Sequence, residues 1–171
     1  MVYFLPNDDT RPKMMRQFRE LTQRWGALVL AAGILIAGPS FGRAVTERWL
    51  ATSRTALAIT GDVTFTGTRI GFQNGQSLTL IPLGQQPAFV VDDERVAAAL
   101  YQVTPPADPV MAHGNHFCGT PITFIAVWHP KPIGADVSPR SLVVFSGATK
   151  PTGASGPGFC GSFSYDLAAN H

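Results

Sequence analysis

The densest cluster of chemistry-bearing side chains is His113-Gly114-Asn115-His116-Phe117-Cys118, in which two imidazoles stand three residues apart. Neutral imidazole binds Zn or Cu well, and a tight turn can bring side chains at this spacing to one side. Two imidazoles do not hold such an ion against water, so a third ligand is needed. His129 is the best candidate, because it follows an apolar run that reads as a strand; His171 is the last residue, and chain ends are loosely held. No carboxylate lies beside His113 or His116 in the sequence to orient the rings, and Gly114 and Asn115 are turn formers. The first reading is therefore a solvated polar turn with no cofactor, and a Zn or Cu site on His113, His116 and His129 is the alternative.

Other constellations are weaker. Ser155 lies in Gly-Ala-Ser-Gly-Pro-Gly, without the strand and helix that frame an activated serine. Asp92-Asp93-Glu94 reads as a turn or a helix start rather than a general acid/base pair. The glycine-rich stretches match neither a phosphate loop nor a dinucleotide fingerprint. Trp128 beside His129 and Pro130 reads as core at a strand end, with a binding surface as the other possibility. Nothing here favours an enzyme; a catalytic site would have to be assembled in three dimensions from residues distant in sequence.

The two cysteines, Cys118 and Cys160, sit in near-copies of one another, Phe117-Cys118-Gly119-Thr120 and Phe159-Cys160-Gly161-Ser162. Each precedes a predicted strand, and two strands entering a sheet side by side would bring the thiols together. A disulfide is expected if the chain is exported.

The expectation of export rests on the first 42 residues. Residues 25–42, WGALVLAAGILIAGPSFG, carry no charge and follow a tail, residues 1–24, with five basic and three acidic residues. Eighteen helical residues span about 27 Å, just enough for a thin bilayer. The same stretch also fits a signal peptide, with Ser40 and Gly42 as the small residues before a cut at Arg43. Either a cleaved signal or a retained transmembrane helix puts residues 43–171 on the periplasmic or extracellular side, since the basic flank stays in the cytoplasm.

From Arg43 onward eight basic residues balance eight acidic ones, so there is no basic stripe and nucleic acid is not an expected partner. Only 14% of the 171 residues are charged, while Gly (17) and Pro (14) are plentiful, a composition of short strands and many turns. Residues 43–54 read as a linker or short helix and residues 55–171 as a β-domain. Strands are expected at 55–59, 63–65, 68–72, 77–81, 88–91, 122–128, 142–145 and 162–165. Pro82, Gly84 and Pro87 are expected to break the chain before 88. A type I′ turn is expected at Asn74-Gly75, between alternating arms. Residues 92–103 are ambiguous, with strand preferred to helix, and 149–158 read as a flexible loop. The fold class is all-β: a small antiparallel sandwich or closed barrel with one disulfide, preceded by an N-terminal apolar helix.

The functional expectation is an exported or membrane-anchored, non-catalytic binding or inhibitor module of the cell envelope. Its partner would be an envelope protein or a small molecule, with membrane attachment through residues 25–42 if these are not cleaved. A periplasmic metal-binding protein and an enzyme with a dispersed site are the alternatives.

Overall fold

The computed structural model describes residues 45–135 and 137–169. The tail at 1–24, the apolar segment at 25–42 and His171 lie outside the described residues. Among those described, no helix is long and apolar enough to cross a membrane.

Eight strands run in chain order around a closed antiparallel barrel: β1 (Glu47–Ala51), β2 (Val63–Phe65), β3 (Arg69–Phe72), β4 (Ser77–Val91), β5 (Glu94–Ala107), β6 (Ile122–Trp128), β7 (Pro139–Phe145) and β8 (Phe159–Leu167). Closure is made by β1, which pairs with β2 on one side and with β8 on the other, with Trp49 opposite Val63 and Leu167. The segment read as a linker thus holds the closing strand. Its alternating inner residues, Glu47, Trp49 and Ala51, are too few to announce a strand, and its partner β8 lies more than a hundred residues downstream.

Alternation places one face of every strand in the barrel. Trp49, Phe65, Ile70, Leu80, Ile125, Leu142, Val144, Phe163 and Tyr165 form a single buried cluster inside. Trp49 stacks on Phe65 with ring centroids 4.7 Å apart, and Phe117 meets Phe163 edge-on at 5.3 Å. The outer face of β5, β6 and β7 is buried as well: Ala98, Leu100, Ala126, Trp128, Val143 and Phe145 pack with Phe89 of β4. That double burial explains why β6 and β7 read as nearly continuous apolar runs.

The long β4–β5 hairpin makes this second layer possible. Pro82, Gly84 and Pro87 do not end the strand as expected. They are absorbed by register shifts between Pro82 and Gly84 and between Gln86 and Phe89, the positions at which a residue lacking N–H or Cβ is tolerated in a sheet. The hairpin turns at Asp92 (φ 48°) and Asp93 (φ 67°), both left-handed, the signature of a type I′ turn. Residues 94–107 are strand, as preferred, and continue through Pro105-Pro106. The loop at 149–158 is partly paired: the Val90 N–H donates to the Thr152 carbonyl at 3.1 Å and the Ala154 N–H to the Val90 carbonyl at 2.7 Å. Gly153 sits so close that a Cβ there would stand 2.9 Å from the Val90 carbonyl oxygen.

Two further expectations are corrected. Residues 56–60 form a single helical turn, not a strand, closed by the Gly61 N–H on the Ala56 carbonyl at 2.8 Å. The turn at Asn74-Gly75 exists but is not type I′. Only Gly75 has positive φ (84°), and the pair of bonds Gly75 N–H to Phe72 carbonyl and Phe72 N–H to Gln76 carbonyl, each 2.9 Å, defines a three-residue loop with a glycine bulge. Asn74 is engaged elsewhere, its amide donating to the Val110 carbonyl at 2.9 Å.

Candidate functional site

The two ends of the barrel differ. At one end lie the helical turn 56–60, the Asn74-Gly75 loop, the 108–121 connection and the disulfide. Ala56 and Thr60 of the helical turn are fully buried there, and Met111 and Phe117 of the connection join the interior cluster. Inside, the Thr60 hydroxyl meets the Tyr165 hydroxyl at 2.8 Å, and burial pushes the Tyr165 phenol far above its ordinary pKa despite that hydrogen bond. This end is plugged.

Cys118 and Cys160 are disulfide-bonded at the plugged end, with Cα atoms 5.1 Å apart, well inside the span a disulfide can bridge. The bond ties the 108–121 connection to the start of β8, as the paired Phe-Cys-Gly motifs anticipate. His113 and His116 occupy the same connection, both exposed, His113 in the left-handed region (φ 57°). A carboxylate does attend His116. Asp108, almost fully buried, faces His116 Nδ1 at 3.4 Å and accepts the N–H groups of Phe117 at 3.0 Å and Cys118 at 3.4 Å. Its distance of eight residues from His116 hid it from inspection of the sequence.

His129 lies at the other end. It follows β6, whereas His113 and His116 precede it, and the strand's seven residues separate them by about 20 Å. The structure does not bring the three histidines together, and no three His, Cys, Asp or Glu side chains converge on one point among the described residues.

The end that carries His129 is open. A cavity of about 600 Å³ enters the barrel there, floored by Phe65, Tyr101 and Val127 and walled by Gln85, Ala97 and Ala99 of the β4–β5 hairpin. Phe65 and Tyr101 meet edge-on at 5.5 Å. Glu47 and His129 stand on its rim. One oxygen of Glu47, Oε2, accepts the indole N–H of Trp49 at 2.7 Å and the Nε–H of Arg140 at 3.3 Å. Arg140 is the more deeply buried partner, its side chain 8% exposed against 30% for Glu47. Its guanidinium also donates to Ser138 Oγ at 3.0 Å and to the Pro139 carbonyl at 3.2 Å.

These contacts set the protonation of the mouth. Burial would raise the Glu47 pKa, but the Trp49 and Arg140 hydrogen bonds, the Arg140 charge and His129 outweigh it and hold the carboxyl below its ordinary value. Burial and the nearby Arg140 charge lower the His129 pKa, against a smaller opposing pull from Glu47. Burial and the Glu47 charge raise that of Tyr101. At neutral pH the mouth therefore presents a carboxylate, a neutral imidazole and a neutral phenol over an apolar floor.

No family model matches this chain. No curated protein and no solved structure matches it either. The site rests on its geometry alone.

Of the mouth residues, only Trp128 and His129 stand out in the sequence. Glu47 and Trp49 fell in the segment read as a linker, and Arg140 and Tyr101 carry no motif. The available signal was the alternation in Glu47-Arg48-Trp49-Leu50-Ala51, which sets a carboxylate and an indole on the same face.

Proposed function

We propose that residues 45–169 are a non-catalytic binding module of the cell envelope, and that the open barrel mouth is where it takes up a small molecule. The observation that carries this reading is the asymmetry of the barrel: one end plugged by residues 56–60 and Phe117, the other entered by a cavity of about 600 Å³ with an apolar floor and a few polar groups on the rim. Pockets of this size and make-up suit a drug-sized ligand, and an eight-stranded barrel has an interior able to hold one. The envelope location rests on the sequence of residues 25–42, with a disulfide suited to an oxidising compartment.

The test is fluorescence titration with the neutral apolar probe N-phenyl-1-naphthylamine. Saturable binding is expected, and Ala97→Trp should abolish it by filling the mouth while leaving the far-ultraviolet circular dichroism unchanged. Absence of saturable binding, or binding indifferent to Ala97→Trp, would reject the mouth as the site.

A further inference from the structure

We propose that the ligand of the mouth is an organic cation: a primary or substituted ammonium group joined to an apolar body, its charge seated on Glu47 and its body on Phe65 and Tyr101. This deepens the reading of the mouth as a small-molecule site and rests on it.

Charge placement carries the proposal. Glu47 lines the cavity, and no lysine or arginine does so. The cation that balances Glu47 is Arg140, which is buried, anchored to Ser138 and Pro139, and not among the residues that line the cavity. Both hydrogen bonds to Glu47 converge on Oε2, so they fix the carboxylate in place, and Oε1 accepts no hydrogen bond from the described residues. A carboxylate held rigidly by an indole and a guanidinium needs little further ordering when it receives a donor. An ammonium on Oε1 would complete a line of alternating charge, guanidinium, carboxylate and ammonium, with a charge-assisted hydrogen bond at its outer end.

The rest of the mouth agrees. Phe65, the cross-strand partner of Glu47, and Tyr101 line the same cavity, an aromatic lining of the kind against which an organic cation packs. His129 and Tyr101 stay neutral at pH 7 and do not oppose a cation. An anionic ligand would find no basic side chain lining the cavity to receive it, since Arg140 is buried and already paired with Glu47.

Three probes with one apolar body separate charge from shape: 2-naphthylmethylammonium, 2-naphthylmethanol and 2-naphthoate, titrated into the 171-residue chain by calorimetry at pH 7.5. The ammonium should bind about tenfold more tightly than the alcohol, as one well-placed charge-assisted contact supplies, and the carboxylate most weakly. Glu47→Gln should bring ammonium and alcohol to within about twofold while the alcohol's affinity persists. Because Glu47→Gln could unfold the rim, His129→Lys provides a second arm: a lysine on the exposed rim should weaken the ammonium and strengthen the carboxylate. If the alcohol binds as tightly as the ammonium, or the preference survives Glu47→Gln, the cation assignment is overturned and the mouth remains a binding site. If none of the three probes binds, the mouth reading fails and this inference with it.

Discussion

The hydroxyls of Thr60 and Tyr165 meet at 2.8 Å inside the barrel, joining the helical turn that plugs one end to the last strand, β8. Thr60 also hydrogen-bonds the carbonyls of Ala56 and Gly61, so its side chain ties the turn to itself as well as to β8. Both residues are nearly inaccessible to solvent. A buried hydroxyl left without its partner costs about 1–3 kcal/mol, whereas removing both partners costs much less. Thr60→Val alone should destabilise the domain by that order, and Tyr165→Phe in the same background should add less than it does in the wild-type chain. A double-mutant cycle in urea checks this; strictly additive losses would show that the two hydroxyls are not coupled.

The disulfide joins residues 42 positions apart, tying the 108–121 connection to β8. The chain-entropy argument gives a stabilisation of about 4 kcal/mol for a loop of this length. Cys118→Ala with Cys160→Ala, or reduction of the native bond, should lower the guanidinium midpoint accordingly. An unchanged midpoint would show that the bond adds nothing to the fold.

At Gly75 the φ of 84° lies where a β-branched side chain is strained. Gly75→Val should lower stability by about 1–2 kcal/mol. Gly75→Asn should cost less, because asparagine tolerates the left-handed region. A Cβ at Gly75 would meet nothing within 4 Å, so backbone conformation alone is being measured. Equal melting temperatures for the two variants would contradict the turn geometry.

Glu47 predicts an acid dependence. Its folded pKa lies below the ordinary value of 4.5, so the stability it contributes is present above that value and is lost as pH falls through the folded pKa. Glu47→Gln should be less stable than wild type at pH 7 by about 1–3 kcal/mol, mostly because it leaves Arg140 buried without its carboxylate. The difference should shrink below pH 4.5 as wild-type Glu47 takes up its proton. Melting temperatures between pH 7 and pH 3 test this; a gap that stays constant would mean that the ion pair is not what distinguishes the two proteins.

The clearest strands in the sequence were those whose reasons are local. β2, β3 and β6 fall where alternating or β-branched runs end at turn residues, and β6 matches its predicted span, 122–128. Where the fold departs from local preference, a long-range contact overrides it. Residues 55–59 look like a strand by composition, yet they form a helical turn because Ala56 and Thr60 are drawn into the barrel end. The type I′ turn expected at Asn74-Gly75 occurs instead at Asp92-Asp93, where the 15- and 14-residue arms of the long hairpin require its twist.

By itself, the sequence determined the all-β class and the pairing of Cys118 with Cys160, because strand periodicity and cysteine surroundings are properties of neighbouring residues. Tertiary structure alone decided which end of the barrel is plugged, where Glu47 lies and what faces it. Barrel closure brings β1 beside β8 and sets Glu47 against Arg140, 93 positions apart, and it sends His129 to the opposite end from His113 and His116. No local pattern encodes these distances. They follow from the order in which eight antiparallel strands run up and down a closed cylinder, and they place the candidate site at the mouth rather than at the histidine pair.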